Sequence, residues 1–353
     1  MRRLWLLSIS YRFIRWALIR ITYVVQRLTR SPIDLEPVIH SGDWLLVQLR
    51  KLPGILNTTY PLPRIPAIEI HGLIFQSPLI AAAFKDDRDS LEFWLQLGLG
   101  AVCMKTIMPE PRSGNARPRI QELIVNGHAG LINALGLPGP GINQFIKALS
   151  HSPLWAYNRP IGISVGGNGI EDYVQVIAAL TDWFNLHSYP YYLELNISCP
   201  NTSHGRSLSD DPEQLMVLLA KAREMTDAPI SVKLSPDQSD ESIIDMVTRI
   251  TAFEKMIINV GNTQFKVSDQ LSRGGGGVSG PYLYNRTRQM VRLIASQNVP
   301  IIATGGIATS DQVIQLLNDG ASLVGMATGI VTDPFRIVRL NAALEQAFNQ
   351  SSK

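Results

Sequence analysis

From about residue 70 the chain alternates two hydrophobic patterns. Short apolar runs rich in β-formers occur at Pro78–Ala82, Ala101–Met104, Ile161–Val165, Tyr191–Ile197, Ile230–Leu234, Met256–Val260, Pro300–Thr304 and Ser322–Met326. These predict strands. Helical periodicity follows most of them, at Glu171–Phe184, Pro212–Met225, Glu241–Phe253, Asn285–Ser296, Ser310–Asn318 and Pro334–Phe348. Eight strand–helix units predict an α/β chain of the (β/α)8 TIM-barrel class over residues 67–353. An open doubly wound sheet would suit fewer strands and carry a glycine-rich fingerprint after the first, and none is present.

Residues 1–66 follow another pattern. Residues 4–28 are rich in Leu, Ile, Trp, Tyr, Phe and Val, yet arginines interrupt them. The longest charge-free stretch here, Leu4–Tyr11, falls far short of the roughly 20 apolar residues of a spanning helix. At about 100° per residue, Arg12, Arg15, Arg20, Arg27 and Arg30 fall within roughly 140° of arc, and Leu6, Leu7, Phe13, Ile14, Ala17, Leu18, Ile21, Val24, Val25 and Leu28 lie on the remainder. The expectation is an amphipathic helix in a bilayer interface, with Trp5, Trp16 and Tyr23 at headgroup level and the arginines toward anionic lipid. Pro32 breaks the chain, Leu35–Leu52 predicts a second, less basic helix, and Pro53–Pro66 reads as a linker. The N-terminal extension is thus a membrane-associating helical hairpin. No small-residue cleavage site marks a secretory signal, whereas an acid-free, arginine-rich start also fits an organellar presequence. The expected location is the cytoplasmic face of a bacterial-type inner membrane, or else an organellar inner membrane.

Charge and cysteine use narrow the chemistry. The net charge of +3 hides an asymmetry, because residues 1–30 carry seven arginines and no acid, leaving the body at −4. A nucleic-acid binder would spread positive charge over its folded body. The two cysteines, Cys103 and Cys199, form no CxxC or CxxH spacing, and the six histidines form no HExxH, so no metal site is expected.

In such a barrel, chemistry sits on the loops after the strands. After strand four comes Asn196-Ile197-Ser198-Cys199-Pro200-Asn201-Thr202, then a non-helical stretch suited to a lid. Lys233 ends strand five; Gly261-Asn262-Thr263 and a flexible Gly274–Gly280 run follow strand six. Thr304-Gly305-Gly306-Ile307 and Ala327-Thr328-Gly329 follow strands seven and eight, where glycine turns opening helices suit a phosphate. Cys103, inside an apolar strand, reads as core. Lys105 and Lys233 sit at strand ends inside apolar runs, where burial without an anionic partner is costly.

Taken together, NISCPNT at 196–202, VKLSP at 232–236, GNT at 261–263, GGGVSG at 275–280 and ATGGI at 303–307 resemble the dihydroorotate dehydrogenases in order and spacing, as do SGNARPR at 113–119 and GLINALGLPGPG at 130–141. The basic arm is similar to the extension of that family's membrane-bound, quinone-using branch. The resemblance implies FMN at the barrel mouth, with its phosphate on Gly280, Gly305, Gly306, Thr328 and Gly329. It places Lys233 at the flavin's N1/O2 edge, with Asn196, Thr106 and Ser164 also at the flavin. Asn133, Asn201, Asn262 and Thr263 would hold the pyrimidine and its carboxylate, and Cys199 would be the base that removes the C5 proton. Two lysines compete for one substrate contact: Lys85 matches the membrane branch and Lys105 the soluble branch. Cysteine at 199 and the GLPGPG loop are soluble-branch features, Ser164 replaces a flavin-contacting asparagine, and Ala81-Ala82-Ala83-Phe84 replaces a glycine-rich run whose bulk would crowd the flavin. The implied activity is oxidation of dihydroorotate to orotate in pyrimidine (UMP) biosynthesis, with electrons passed to membrane quinone. Fumarate or another soluble acceptor, or a different dihydropyrimidine, are the alternatives. The oligomeric state stays open.

Overall fold

The computed structural model describes residues 2–51, 59–125, 127–197 and 208–351. Two helices lead, α1 (Arg2–Leu28) and α2 (Glu36–Arg50), followed by a short hairpin of β1 (Ile68–Ile70) and β2 (Leu73–Phe75). The first half of the body contains β3 (Leu79–Lys85), α3 (Arg88–Gln96), β4 (Ala101–Ile107), β5 (Ile120–Val125), β6 (His128–Asn133), α4 (Ile142–Leu149), β7 (Ile161–Val165), α5 (Ile170–Asn185) and β8 (Tyr191–Leu195). The second contains α6 (Pro212–Met225), β9 (Ile230–Leu234), α7 (Asp240–Ile250), β10 (Met256–Val260), β11 (Gln264–Val267), β12 (Gly275–Ser279), α8 (Tyr284–Ile294), β13 (Ile301–Thr304), α9 (Ser310–Asn318), β14 (Leu323–Met326), α10 (Thr328–Thr332) and α11 (Arg336–Ser351).

Eight parallel strands close a barrel in the order β3-β4-β7-β8-β9-β10-β13-β14, confirming the (β/α)8 expectation. All eight anticipated runs are barrel strands. Inside, Ile80, Ala101, Ile257, Ile302 and Leu323 pack on Phe75 of the β1–β2 hairpin, which plugs the N-terminal end. A larger apolar layer lies between the barrel and its helices, where Leu218, Met246, Val291 and Leu316 are buried. Side-chain caps fix the helix starts: Asp87 accepts from Ser90 N–H at 3.0 Å, and Thr309 and Gln312 form a reciprocal capping box. Cys103 is buried core, as expected.

One sheet has no counterpart in the sequence pattern. At the mouth, β11-β12-β6-β5 form a four-stranded antiparallel sheet, with Gly277 opposite Asn133. The glycine run expected to be flexible is therefore largely a strand. Its glycines serve close approach, since a Cβ at Gly277 would overlap the Thr263 hydroxyl.

The arm docks on this sheet. Ile19, Leu35 and Val38 bury against Ile120, with Leu131 and Leu135 alongside. Asp34, fully buried, accepts from the Arg119 backbone N–H at 2.7 Å, while Glu36 pairs with Arg119 and, at 3.3 Å, with Arg117. Both arginines belong to SGNARPR. No helix among the described residues is long and apolar enough to cross a membrane.

The orientation of α1 differs from the expectation in one respect. The face that meets the barrel buries Leu4, Ser8, Ile19 and Gln26 and carries Arg15, the one arginine of the predicted arc that turns in: Arg15 pairs with Glu122 at 3.1 Å, Ser8 donates to Asp333 at 2.6 Å, and Tyr11 donates to the Val331 carbonyl at 2.9 Å. Arg12, Arg20 and Arg27 are exposed, as are several large apolar residues, with Trp5 and Phe13 each 64% exposed and Leu28 80%. Of the Pro53–Pro66 linker, residues 53–58 lie outside the described residues; the Tyr60 N–H ties its remainder to the Gln96 carbonyl at 2.8 Å.

Candidate active site

Above the apolar plug, the barrel interior turns polar. Glu194 of β8, 1% exposed, lies 3.5 Å from Lys233 Nζ of β9 and accepts from Asn259 Nδ2 of β10 at 2.7 Å. Lys233 is also buried, at 6% exposure. The anionic partner its burial demanded is therefore Glu194, a residue sequence reasoning missed. The signal was there: Glu194 is an acid inside an apolar strand run, two positions before Asn196 and hence on the same face.

Nearer the mouth, four of the anticipated residues join in one hydrogen-bonded chain. Ser164 of β7 and Thr106 of β4 bond through their hydroxyls at 2.9 Å, and Asn196 Nδ2 donates to Thr106 Oγ1 at 2.9 Å. Asn262 Nδ2 donates to Asn196 Oδ1 at 3.4 Å, and the Tyr173 hydroxyl, a second unanticipated contributor, fixes the Asn196 backbone by donating to its carbonyl at 2.8 Å. Thr263 N–H donates to Asn262 Oδ1 at 2.9 Å, and Asn133 Nδ2 to the Gly277 carbonyl at 3.3 Å. Four barrel strands or the loops after them, β4, β7, β8 and β10, thus contribute to one connected polar wall. Such side chains are locked by one another, which is what precise positioning of a ligand requires.

A cavity of about 610 Å³ opens over this wall, within the range of small-molecule sites. Lys233, Asn262, Thr263, Gly280, Gly305, Gly306, Thr328 and Gly329 all line it. Gly305 and Gly306 adopt φ of +127° and +78°, so the turn after β13 requires glycine. Thr304 Oγ1, also in the lining, is buried and has no hydrogen-bond partner among the described residues. Phe84 belongs to the cavity wall, but its ring stacks on Trp94 at 5.2 Å. The opposite rim is the arm, through Arg12, Arg15, Trp16 and Arg20.

The two competing lysines stand in different surroundings. Lys85, the last residue of β3, pairs with Asp43 of α2 at 2.5 Å. Lys105 of β4 is half-buried with no ion pair among the described residues, and burial pushes its ammonium below the ordinary lysine range. Cys199 and Asn201, and most of the expected lid, lie outside the described residues. No group of metal-ligating side chains occurs among the described residues.

Residues 66–348 match the family model for dihydroorotate dehydrogenase. Among curated proteins, the chain is 32% identical over 295 residues to the catalytic subunit of dihydroorotate dehydrogenase B (NAD(+)) from Listeria monocytogenes, covering 80% of this chain and 93% of that one. It is also 32% identical over 280 residues to the corresponding subunit from Halalkalibacterium halodurans, covering 76% and 88%. Among solved structures, the dihydroorotate dehydrogenase of Eimeria tenella in complex with ferulenol superposes with a TM-score of 0.75 over 90% of this chain and 93% of that one. At 24% identity that likeness speaks for the fold alone. The family model, the catalytic-subunit relatives and the barrel agree: the chain belongs to the dihydroorotate dehydrogenase family.

Proposed function

We propose that the protein oxidises dihydroorotate to orotate with FMN as its resident cofactor and passes the electrons to a membrane quinone. The observation that carries this reading is the cavity itself, which is lined by the buried Lys233, by Asn262 and Thr263 at the end of the hydrogen-bonded chain, and by two glycine turns. These residues fit FMN. The turns at Gly305-Gly306 and Thr328-Gly329, with Gly280, offer main chain close to a phosphate. Thr304 Oγ1 is a buried group in want of a partner, and Lys233 supplies fixed positive charge on the wall.

When bound, FMN supplies the hydride acceptor for the substrate C6–H bond. The chain's own residues do the rest. Lys233, with Glu194 and Asn259 behind it, would supply positive charge to offset the negative charge of the reduced cofactor. Asn196, fixed by Thr106 and Tyr173, keeps the polar wall in register. Asn133, Asn262 and Thr263 present donors and acceptors for the pyrimidine amide edge and carboxylate. Cys199 takes the C5 proton as thiolate, so that one proton and one hydride leave adjacent carbons. An ordinary thiol ionises near pH ~8.5, so flavin reduction should speed up toward alkaline pH.

For the acceptor, the support comes from the arm. Its outward apolar face, with Trp5, Phe13 and Leu28, suits a bilayer interface, and Arg12, Arg15 and Trp16 rim the cavity. A second reading, a soluble acceptor, is favoured by relatives named for NAD(+). The test is a visible spectrum of detergent-purified protein before and after anaerobic dihydroorotate, with dihydrouracil as the alternative substrate. Bleaching by dihydroorotate is expected, and colour should return faster with quinone than with fumarate or NAD(+). Removing residues 1–30 should spare bleaching and slow quinone turnover. Equal loss of both would refute the arm's role, and persistent flavin bands would refute the substrate.

A further inference from the structure

The end of the cavity nearest the arm carries an inference that rests on the FMN reading and deepens it. We propose that the cofactor's phosphate also fastens the arm, through two arginines that the glycine turns do not include: Arg336 from the barrel and Arg12 from α1.

Arg336 opens α11 and is tied to both turns. Its Nη1 donates to the carbonyl of Ala308, two residues after Gly306, at 2.6 Å. Its backbone N–H donates to the Asp333 carbonyl at 3.1 Å, and the Asp333 N–H to the Gly329 carbonyl at 3.2 Å. The side chain lines the cavity together with Gly305, Gly306, Thr328 and Gly329. Its Nε is buried without a hydrogen-bond partner among the described residues. Burial works against its charge, as do Arg339 and Arg12, while Asp333 favours it. Asp333 is already engaged, accepting from Ser8 at 2.6 Å and pairing with Arg339 at 2.5 Å. A guanidinium in that position gains from a further anion, and its planar fork suits phosphate oxygens.

Arg12 arrives on the part of α1 that docks here. Ser8 bonds Asp333, and Tyr11 donates to the Val331 carbonyl at 2.9 Å. Val331 and Asp333 follow Thr328-Gly329 directly, and the Thr332 hydroxyl donates back to the Thr328 carbonyl at 2.9 Å. The arm therefore rests on the residues that build the second turn. Among the described residues, the lining holds Arg12, Arg15, Arg20, Arg336 and Lys233 against one carboxylate, Glu122. Glu122 is taken by Arg15 and Lys233 lies beside Glu194. Of the arm's arginines, Arg12 is the one whose charge is felt at Arg336. A phosphate monoester carries close to two negative charges above pH ~6. Bound at this end, it turns the mutual repulsion of two guanidiniums into two attractions. Cofactor binding and arm docking then strengthen each other by the same factor.

The test compares FMN with riboflavin, which lacks the phosphate, on the full chain in detergent. Flavin fluorescence gives affinity, and amide hydrogen exchange follows α1. Arg336→Gln should weaken FMN about ten- to a hundredfold, the loss of a charge-assisted bond, and riboflavin by less than about twofold. Arg12→Gln, at an exposed position, should weaken FMN about two- to fivefold and leave riboflavin unchanged. FMN should slow exchange of α1 by that same two- to fivefold in the parent, riboflavin should not, and Arg12→Gln should abolish the protection. Equal losses of FMN and riboflavin in Arg336→Gln would mark a merely structural residue and overturn the assignment. So would FMN affinity unchanged in both variants. Exchange of α1 slowed by phosphatidylglycerol vesicles yet indifferent to FMN would give Arg12 to a lipid headgroup and overturn the link. Binding of neither flavin by the parent would refute the FMN reading and this proposal with it.

Discussion

Replacing Glu194 with Gln should expose how much of the barrel's stability depends on one buried ion pair. Glu194 is 1% exposed and Lys233 6%, and the two charges lie 3.5 Å apart. The substitution keeps the volume and can still accept from Asn259, so the main loss is the charge. Stranding one partner of a buried pair costs about 3–5 kcal/mol. At roughly 2.1 cal/mol/K of unfolding entropy per residue, a barrel of this size has about 0.6 kcal/mol/K in all, so Tm should fall by roughly 5–8 °C. Thermal unfolding followed by circular dichroism, at fixed flavin concentration, measures this. The companion Glu194→Leu/Lys233→Met should recover most of the loss, since removing both charges spares the uncompensated one. A Tm drop below about 2 °C in Glu194→Gln, or a double variant less stable than the single one, would refute the claim that Glu194 is what makes Lys233 tolerable inside the barrel.

Two further outcomes follow from local geometry. Gly306→Ala places a Cβ against the Tyr284 backbone nitrogen at a φ of +78°. Overpacking and left-handed strain together should cost about 2–5 kcal/mol, read by urea unfolding, and the protein should purify with less flavin; full flavin content would contradict a phosphate role for this turn. Burial works to raise the Glu36 carboxyl, but Arg119 and Arg117 outweigh it and hold the group below the usual range. A depressed carboxyl stabilises above its unfolded pKa, near ~4.3, and that contribution vanishes as pH falls through the lower folded value. Hydrogen exchange of α2 should therefore accelerate on acidification below about pH 4 in the parent and change less in Glu36→Gln; identical profiles would remove Glu36 from the clamp.

The barrel was legible because its strands are apolar runs between helices of plain 3.6-residue periodicity, and Ile161–Val165, Ile230–Leu234 and Met256–Val260 fall where the pattern put them. The mouth sheet was not. Gly275-Gly276-Gly277 in β12 has no β propensity to read, because those positions are dictated by neighbours such as Thr263 and the Asn133 carbonyl. Likewise, Asn196, Thr106 and Ser164 could each be named from sequence, but not that they would bond to one another, since 90 positions separate the first two. Glu194 shows the converse case, a site residue hidden by lying inside a strand rather than on a loop.

The arm illustrates what a helical period leaves undetermined. Spacing placed Arg12, Arg15, Arg20, Arg27 and Arg30 within one arc of α1, but a period has no preferred outside. Which side turns inward depends on the surface that receives it, and here that surface offers Glu122 to Arg15 and Asp333 to Ser8. Apolar positions divide as well: Leu4 and Ile19 are buried, whereas Trp5, Phe13, Val24 and Leu28 are left exposed. Exposure of that kind on a docked helix is costly in water. The inward face of α1 is therefore chosen by what the body offers, an acid for Arg15 and apolar seats for Leu4 and Ile19, and not by the spacing of the arginines alone.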